Sequence, residues 1–575
     1  MKSPPLSSPS PQSSPTSFPI PPSPHTAMKV SGSDPVDLAA NFLSELTEEV
    51  VKVRSFKGKW SSVKSKLADL RTQLTDLTDF PNSASNPLFL ELVQSVVGTL
   101  EEGLALARRC QREDFKAGKL RTQSDIDSMI ARLDRHIRDG EILIKSGVLQ
   151  DGGGGSSKRE AVRADARNLV TRLQIGSVES KNAAMDSLLG LLIEDDKNVL
   201  IAVAQGVVPV LAKLLDSTSA EMKEKAVCAI SRVSMVESSK HVLVAEGLML
   251  LNHLIRVLES GSGFAKEKAC IALQGLSTSK ENARAIGSRG GISSLLEICQ
   301  AGTPNSQAAA AGVLKNLAKF DEIKENFMEE NALPVLLGLL ACGTSSAQEN
   351  AIGCLCNLVA GDEELKLRFA REGGFGGLKN FWDGAPAAQS LEVALDLFTT
   401  LASCAPIAEA LAAEGFISRL VIVLNCEVSG VRIAAAKAVN ELGLNSKTRK
   451  SLGDFGCIPL LVRMLENKAV EEKEAAAKAL SNLVQCESNK KIFKKDERGI
   501  VNVVQLLDPS VQNLDKRYPV FILASLAHSK KCRKSMTAAG ASPHLQKLVE
   551  MDVEGSKKLF ESIRHGKVWG IFARS

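Results

Sequence analysis

Along most of this chain one residue returns at a nearly fixed distance: Gly206, Gly247, Gly290, Gly373, Gly415, Gly456, Gly499 and Gly540, with Asn331 in the one place that lacks glycine, at intervals of 41 to 43 residues. A unit that short is too small to enclose a core by itself. Each copy must cover its apolar face with the next, so the copies stack into a solenoid. The recurring position must tolerate a left-handed backbone, which glycine does freely and asparagine next best.

The unit is clearest in residues 456–485, GCIPLLVRMLENKAVEEKEAAAKALSNLVQ. Gly456 closes one helix, and Pro459 falls in the first turn of the next, where an N–H has no intrahelical partner. Leu460, Leu461, Met464 and Leu465 follow at helical spacing. After a polar turn at Glu466–Lys468, a second apolar series runs through Ala476, Ala477, Leu480 and Leu483. Proline again stands three residues past the junction at Pro209, Pro334 and Pro543.

This helical period, the Gly-x-x-Pro junction and the Ala-Leu-x-Asn-Leu-Val ending resemble the armadillo repeat. The resemblance covers residues 163–575. It implies an all-α fold in which about nine or ten repeats wind into a right-handed superhelical solenoid, the last helix of each lining a concave groove. Followed from repeat to repeat, the Asn482 position holds Gly190, Arg232, Gly275, Asn316, Asn357, Thr400, Glu441, Asn482 and Ser525. In armadillo proteins that hold extended peptides, asparagines at this position bond to the peptide main chain, because an amide donates and accepts together. The resemblance therefore makes Asn316, Asn357 and Asn482, with Arg232 and Glu441, partner-binding groove residues. The other reading is that each asparagine caps its helix or bonds to the adjoining repeat. Importin-like receptors place tryptophan one turn before these asparagines; here Gly312, Gly353 and Lys478 stand there, so the cation-stacking cages are missing. Lys223, Lys225, Lys266, Lys268, Lys473 and Lys478 put positive charge on the groove helices, which favours acidic partner segments.

Residues 35–148 lack the junction. Four apolar series step by threes and fours: Leu43, Leu46, Val50 and Val53; then Trp60, Val63, Leu67, Leu70, Leu74 and Leu77; then Phe89, Val93, Val96, Leu100 and Leu104; then Ile126, Ile130, Leu133 and Ile137. They predict a four-helix bundle whose last helix opens at a capping-box-like Ser124–Asp127. Stretches such as LTEEVVKVRSFKGKWSSVKSKLADLRTQLTDL and LEEGLALARRCQ resemble the amino-terminal domain of plant armadillo U-box ubiquitin ligases and of plant armadillo proteins without a U-box. In those ligases a U-box separates the two regions. Here residues 149–162, with the Gly152–Gly155 run, read as a linker, and no Cys-Pro-Ile segment opens a U-box. The ligase chemistry of the relatives is not carried over. Residues 1–34 hold nine of the 21 prolines and no acidic residue before Asp34, which predicts a disordered tail. A plastid-targeting segment is the rival reading, against which stands the lack of arginine before Arg54.

Of the 12 cysteines none forms a Cys-x-x-Cys pair, and the seven histidines are equally dispersed, so no metal and no cofactor is expected. The acidic stretches Asp362–Glu364 and Glu471–Glu472 read as solvated surface, not as catalytic carboxylates. A net charge of +5 over 575 residues is nearly balanced and gives no reason to expect a nucleic-acid partner. No apolar run approaches membrane-spanning length, so integral membrane association is not expected. These observations predict a non-enzymatic scaffold in cytoplasm or nucleus that binds other proteins, as extended or helical segments, along its groove. A ubiquitin-ligase adaptor is the alternative, with a nuclear import receptor behind it.

Overall fold

The computed structural model describes residues 34–565 apart from 82, 113–117, 151–156 and 386. The expectations for the tail before Asp34 and for the Gly152–Gly155 run lie outside the described residues. Among those described there is no strand, and they fall into two compact units: residues up to 150 with Ile175–Ser177, and the rest.

The first unit is built on four long helices: α1 (Pro35–Val51), α2 (Lys57–Thr78), α3 (Pro87–Cys110) and α4 (Lys119–Ser146). Proline occupies the first position of α1 and α3, and the preceding Asp34 and Asn86 carboxylate and amide oxygens accept from the free N–H groups of Val36 and Leu88. α4 begins earlier than its Ser124–Asp127 stretch suggests. Gly118, left-handed at φ 87°, sets the start, and Ser124 lies inside the helix. The apolar series meet in one core around Trp60, Leu67, Phe89, Val96 and Leu133.

That core holds a buried polar seam between α3 and α4. The Thr99 hydroxyl donates to Ser95 O (3.0 Å), so its oxygen must accept from His136 Nε2 (2.9 Å). His136 is then the Nε2–H tautomer, with Nδ1 bare and unpartnered among the described residues. Burial, reinforced by Arg132 and Arg135, lowers its pKa to about 4. A histidine whose folded pKa lies below its unfolded value of about 6.5 costs nothing above that pH and destabilises progressively as pH falls from there to about 4, by roughly 3 kcal/mol in all. Denaturant unfolding followed through Trp60, with Trp382 and Trp569 replaced by phenylalanine, should show this acid loss in the full chain. His136→Gln should flatten it. A bundle equally stable at pH 7 and pH 4 would contradict the buried neutral imidazole.

The second unit opens with a helix pair, Lys158–Ile175 and Val178–Glu194, and continues as nine three-helix repeats. The pair begins inside the stretch read from sequence as linker. Each repeat has a short first helix of six to nine residues, such as Lys240–Ala245 or Glu487–Lys495, that precedes the two helices legible in the sequence. The third helices pack side by side in succession: Ala220–Ser234, Gly263–Leu276, Pro304–Leu317, Ser345–Val359, Ala388–Ala402, Ser429–Leu444, Val470–Leu483 and Arg517–Leu526. Between them and the second helices runs one core, with Leu314, Leu355 and Leu480 fully buried.

The junction between first and second helices is left-handed at Gly206, Gly247, Gly290, Asn331, Gly373, Gly415, Gly456 and Gly540, with φ between 49° and 93°. Gly499 is the exception. Its turn is closed by Asp496, whose Oδ1 accepts from the N–H groups of Arg498 (3.0 Å) and Gly499 (3.2 Å). Gly499 instead matches Gly374, one residue past a junction: a Cβ there would lie 3.0 Å from the Phe493 ring, as one at Gly374 would lie 2.5 Å from Phe369. The junction residue of this repeat is Arg498, and glycine is present for close packing. In the same repeat the Lys516 ammonium ties the loop before the third helix by donating to Leu506 O (2.9 Å), Asp508 O (2.7 Å) and Val511 O (2.9 Å).

A candidate partner-binding groove

The candidate asparagines all lie near the ends of third helices, and each reaches back one repeat. Asn316 Nδ2 donates to Gln274 O and to Ser277 Oγ, both at 3.1 Å. Asn357 Nδ2 donates to Lys315 O at 3.1 Å. Asn482 Nδ2 donates to Asn440 Oδ1 at 2.6 Å, and Asn440 Nδ2 to Glu441 Oε1 at 3.0 Å. In all three an acceptor is the residue just before the equivalent position of the preceding repeat: Gln274, Lys315 or Asn440. The structure thus joins Asn482 to Glu441 through Asn440 and places Asn316 and Asn357 on adjoining repeats. Arg232 stands apart, paired with Asp196 of its own repeat's first helix.

The glycines one turn earlier explain what fills the place of an aromatic cage. A Cβ at Gly312 would lie 2.6 Å from the Gln274 side chain, and one at Gly353 would lie 2.6 Å from that of Lys315. Each glycine is the bed on which a long side chain of the preceding repeat lies. Lys315 then reaches Asn350 Oδ1 (2.6 Å), whose Nδ2 donates to Ala308 O (3.0 Å). Burial lowers the Lys315 pKa. Gln274, Lys315 and Asn350 escaped sequence reasoning; the small residue repeated at Gly312 and Gly353 was the available signal.

At the far end the face becomes aromatic. Tyr518 and Phe521 project from Arg517–Leu526, with Phe521 47% exposed. Phe521 borders two hollows: one of about 440 Å³ running to Ser481, Asn482 and Gln485, and one of about 760 Å³ running to His528, Lys558 and Ser562. Asn482 and Phe521 therefore share one wall, a pairing not foreseen from sequence.

The opposite ends of the third helices are tied by charge. Glu472, read from sequence as surface, is only 1% exposed. Arg432 of the preceding repeat grips it through Nε to Oε1 (2.5 Å) and Nη2 to Oε2 (2.9 Å), joined by Ser429 Oγ (2.9 Å) and Asn467 Nδ2 (2.6 Å). Its burial reflects a partner 40 residues away that no local pattern announces. Of the lysines expected to charge the groove, Lys225 is neutralised by Asp186 (2.7 Å) and Glu221 (2.8 Å), and Lys268 by Glu267 (3.0 Å).

A family model described as an Armadillo/beta-catenin-like repeat matches residues 195–235 and 445–485. A solved structure of an engineered protein aligns with a TM-score of 0.62 at 24% identity, covering 70% of this chain and 99% of the other. One from a structure titled for a phosphorylation switch controlling the interaction between cadherin and beta-catenin gives 0.59 at 16% identity, covering 76% and 97%. The solenoid has the armadillo fold. At those identities the likeness is one of fold. Human Armadillo repeat-containing protein 3 is 34% identical over 88 residues, 15% of this chain, and the match spans 10% of that relative's length. A second family model, described as a domain of unknown function (DUF7032), matches residues 37–148, which take in α2 to α4 and all but the first two residues of α1.

Most thiols of the solenoid helices are packing groups, the exposed Cys342 apart. Cys270 and Cys354 are buried, Cys228 and Cys356 half-buried, and Cys404 is buried at the residue before Ala405–Ala413. Burial pushes the Cys299 and Cys457 thiols up to about 12, so neither is a thiolate nucleophile at neutral pH.

Proposed function

We propose that this chain is a non-catalytic protein-interaction scaffold, and that its armadillo array holds an extended partner segment against the third helices, in a cytoplasmic or nuclear setting. The observation that carries the reading is the wall shared by Asn482 and the half-exposed Phe521, where hollows on both sides would accept side chains of a segment lying across the helices. The related U-box-ligase pattern of residues 35–148 supports an adaptor role as the second reading, without ligase chemistry of its own.

Both readings are open to direct tests. Peptides selected from a library of disordered segments should bind the full chain and lose at least tenfold in affinity on Phe521→Asp, about 1.4 kcal/mol. Selected peptides indifferent to Phe521→Asp and Asn482→Ala would sink the groove reading. Incubated with a panel of ubiquitin-conjugating enzymes, the purified chain should build no ubiquitin chains; chain formation without a co-purifying ligase would overturn the non-catalytic reading.

A further inference from the structure

The net charge is small but unevenly placed. The first helices of the last three repeats, Ser446–Asp454, Glu487–Lys495 and Lys530–Ala538, carry eleven lysines and arginines against two acidic residues. Counted from their N-caps Asn445, Cys486 and Ser529, the fifth residue is lysine in each: Lys450, Lys491 and Lys534, all exposed. The same position holds Leu367 and Glu409 in the two preceding repeats, so the column begins abruptly. Lys494, Lys495, Lys530 and Lys531 are exposed beside it. None of these seven ammonium groups has a carboxylate within ion-pair distance among the described residues, whereas Lys447 pairs with Glu409 and Lys490 with Glu487. The first two helices are in contact, through Asn489 Nδ2 and Arg449 O at 2.8 Å. The third repeats their place one step along the array.

The arginines of these helices face the other way. Arg449 donates to Gly443 O (2.8 Å) and Leu444 O (3.1 Å), and Arg533 to Ala527 O (2.6 Å) and His528 O (3.1 Å), capping the carbonyl ends of the preceding third helices. Of the basic groups, those left to solvent beside the exposed acids Asp454 and Glu487 are lysines: hydrated point charges on flexible stems, without the planar fork that reads a phosphate or a base edge bidentately. The exposed lysines recur on three successive first helices and line neither of the hollows beside Phe521. Two exposed apolar side chains flank the first of these helices in sequence: Leu444, the last residue of the preceding third helix, at 54%, and Phe455, just past its end, at 56% exposure.

We propose that this edge of the array is a peripheral docking surface for an anionic membrane, with the lysines drawn to acidic lipid headgroups and Leu444 and Phe455 entering the interfacial zone. A broad lysine patch bordered by exposed apolar groups suits a charged plane, which engages all of its columns together, better than a linear acidic chain, which engages one. No single described helix is long and apolar enough to cross a membrane.

The test is sedimentation of the full chain with phosphatidylcholine vesicles, with and without phosphatidylserine, at low and high salt. The chain should sediment only with phosphatidylserine vesicles and be released by salt. Lys450→Glu, Lys491→Glu and Lys534→Glu combined should cut the partition coefficient by roughly a hundredfold or more, at each lysine's ordinary share of the attraction. Lys223→Glu, Lys473→Glu and Lys478→Glu combined should leave it unchanged, and thermal melts of both variants should match the unsubstituted chain. Failure to sediment, equal binding to phosphatidylcholine alone, or retention by the first variant would overturn the proposal. Tighter binding to a random-sequence RNA or DNA duplex than to the vesicles at the same salt would replace the membrane with nucleic acid.

Discussion

Alanine at Glu472 should lower the unfolding free energy of the array by about 3–5 kcal/mol, the loss that follows when one partner of a buried ion pair is removed. The reason lies in what stays behind. Arg432 is held in place by Nη1 bonds to Cys426 O and Glu427 O, both 2.7 Å, and its side chain is only 17% exposed. Without Glu472 the guanidinium keeps its position and loses its counter-ion. Glu472→Gln, which preserves shape and one acceptor, should cost less. The pH dependence has a definite sign. Burial pushes the Glu472 carboxyl up, but the bonds from Arg432, Ser429 and Asn467 outweigh it and hold the group below its ordinary value. A carboxylate with a lowered folded pKa contributes stability above the ordinary carboxylate range and loses it as pH falls through the folded pKa. Acid should therefore weaken the unsubstituted array more than the Glu472→Gln variant. Because repeats open semi-independently, hydrogen exchange in Ser429–Leu444 and Val470–Leu483 is the sharper readout beside urea unfolding. A loss below about 1 kcal/mol would mean that the pair behaves as an exposed one.

The elements legible in the sequence are those whose cause is local. A left-handed junction needs glycine or asparagine at one position, and an amphipathic helix needs its own apolar spacing, so the repeat, its register and the four bundle helices could be read directly. Features with a distant cause could not. Gly499 looked like the junctions before it, and only the packing of Phe493 and the Asp496 turn show that it serves another end. Ser124 had the form of a helix start, yet Gly118 begins the helix. Glu472 had the appearance of surface because its partner lies one repeat away, and the bed that Gly353 makes for Lys315 is likewise a property of two repeats. The lysine column was hidden by the near-balanced total charge. It emerges when the first helices, themselves short and weakly patterned, are set in register.

The same distinction between local and inter-repeat causes decides what Asn357 does. Replacing Leu355, fully buried in the core of its helix, with alanine should leave a cavity and cost roughly 2–5 kcal/mol of folding free energy. Asn357→Ala, two residues on, removes a single bond from Nδ2 to Lys315 O, and on that ground should cost only about 0.5–1.5 kcal/mol. If the asparagine also meets a partner's main chain, its loss weakens peptide binding by a further margin that stability does not report, whereas Leu355→Ala lowers binding only as far as it unfolds the repeat. Denaturant unfolding of both variants, set beside their affinity for a groove-selected peptide at temperatures where both are folded, separates the two roles. Should Asn357→Ala destabilise the array as much as Leu355→Ala while peptide affinity stays intact, the bond to Lys315 is its whole purpose. The asparagines would then be pins between repeats, and the partner's contact would have to be sought at Phe521 instead.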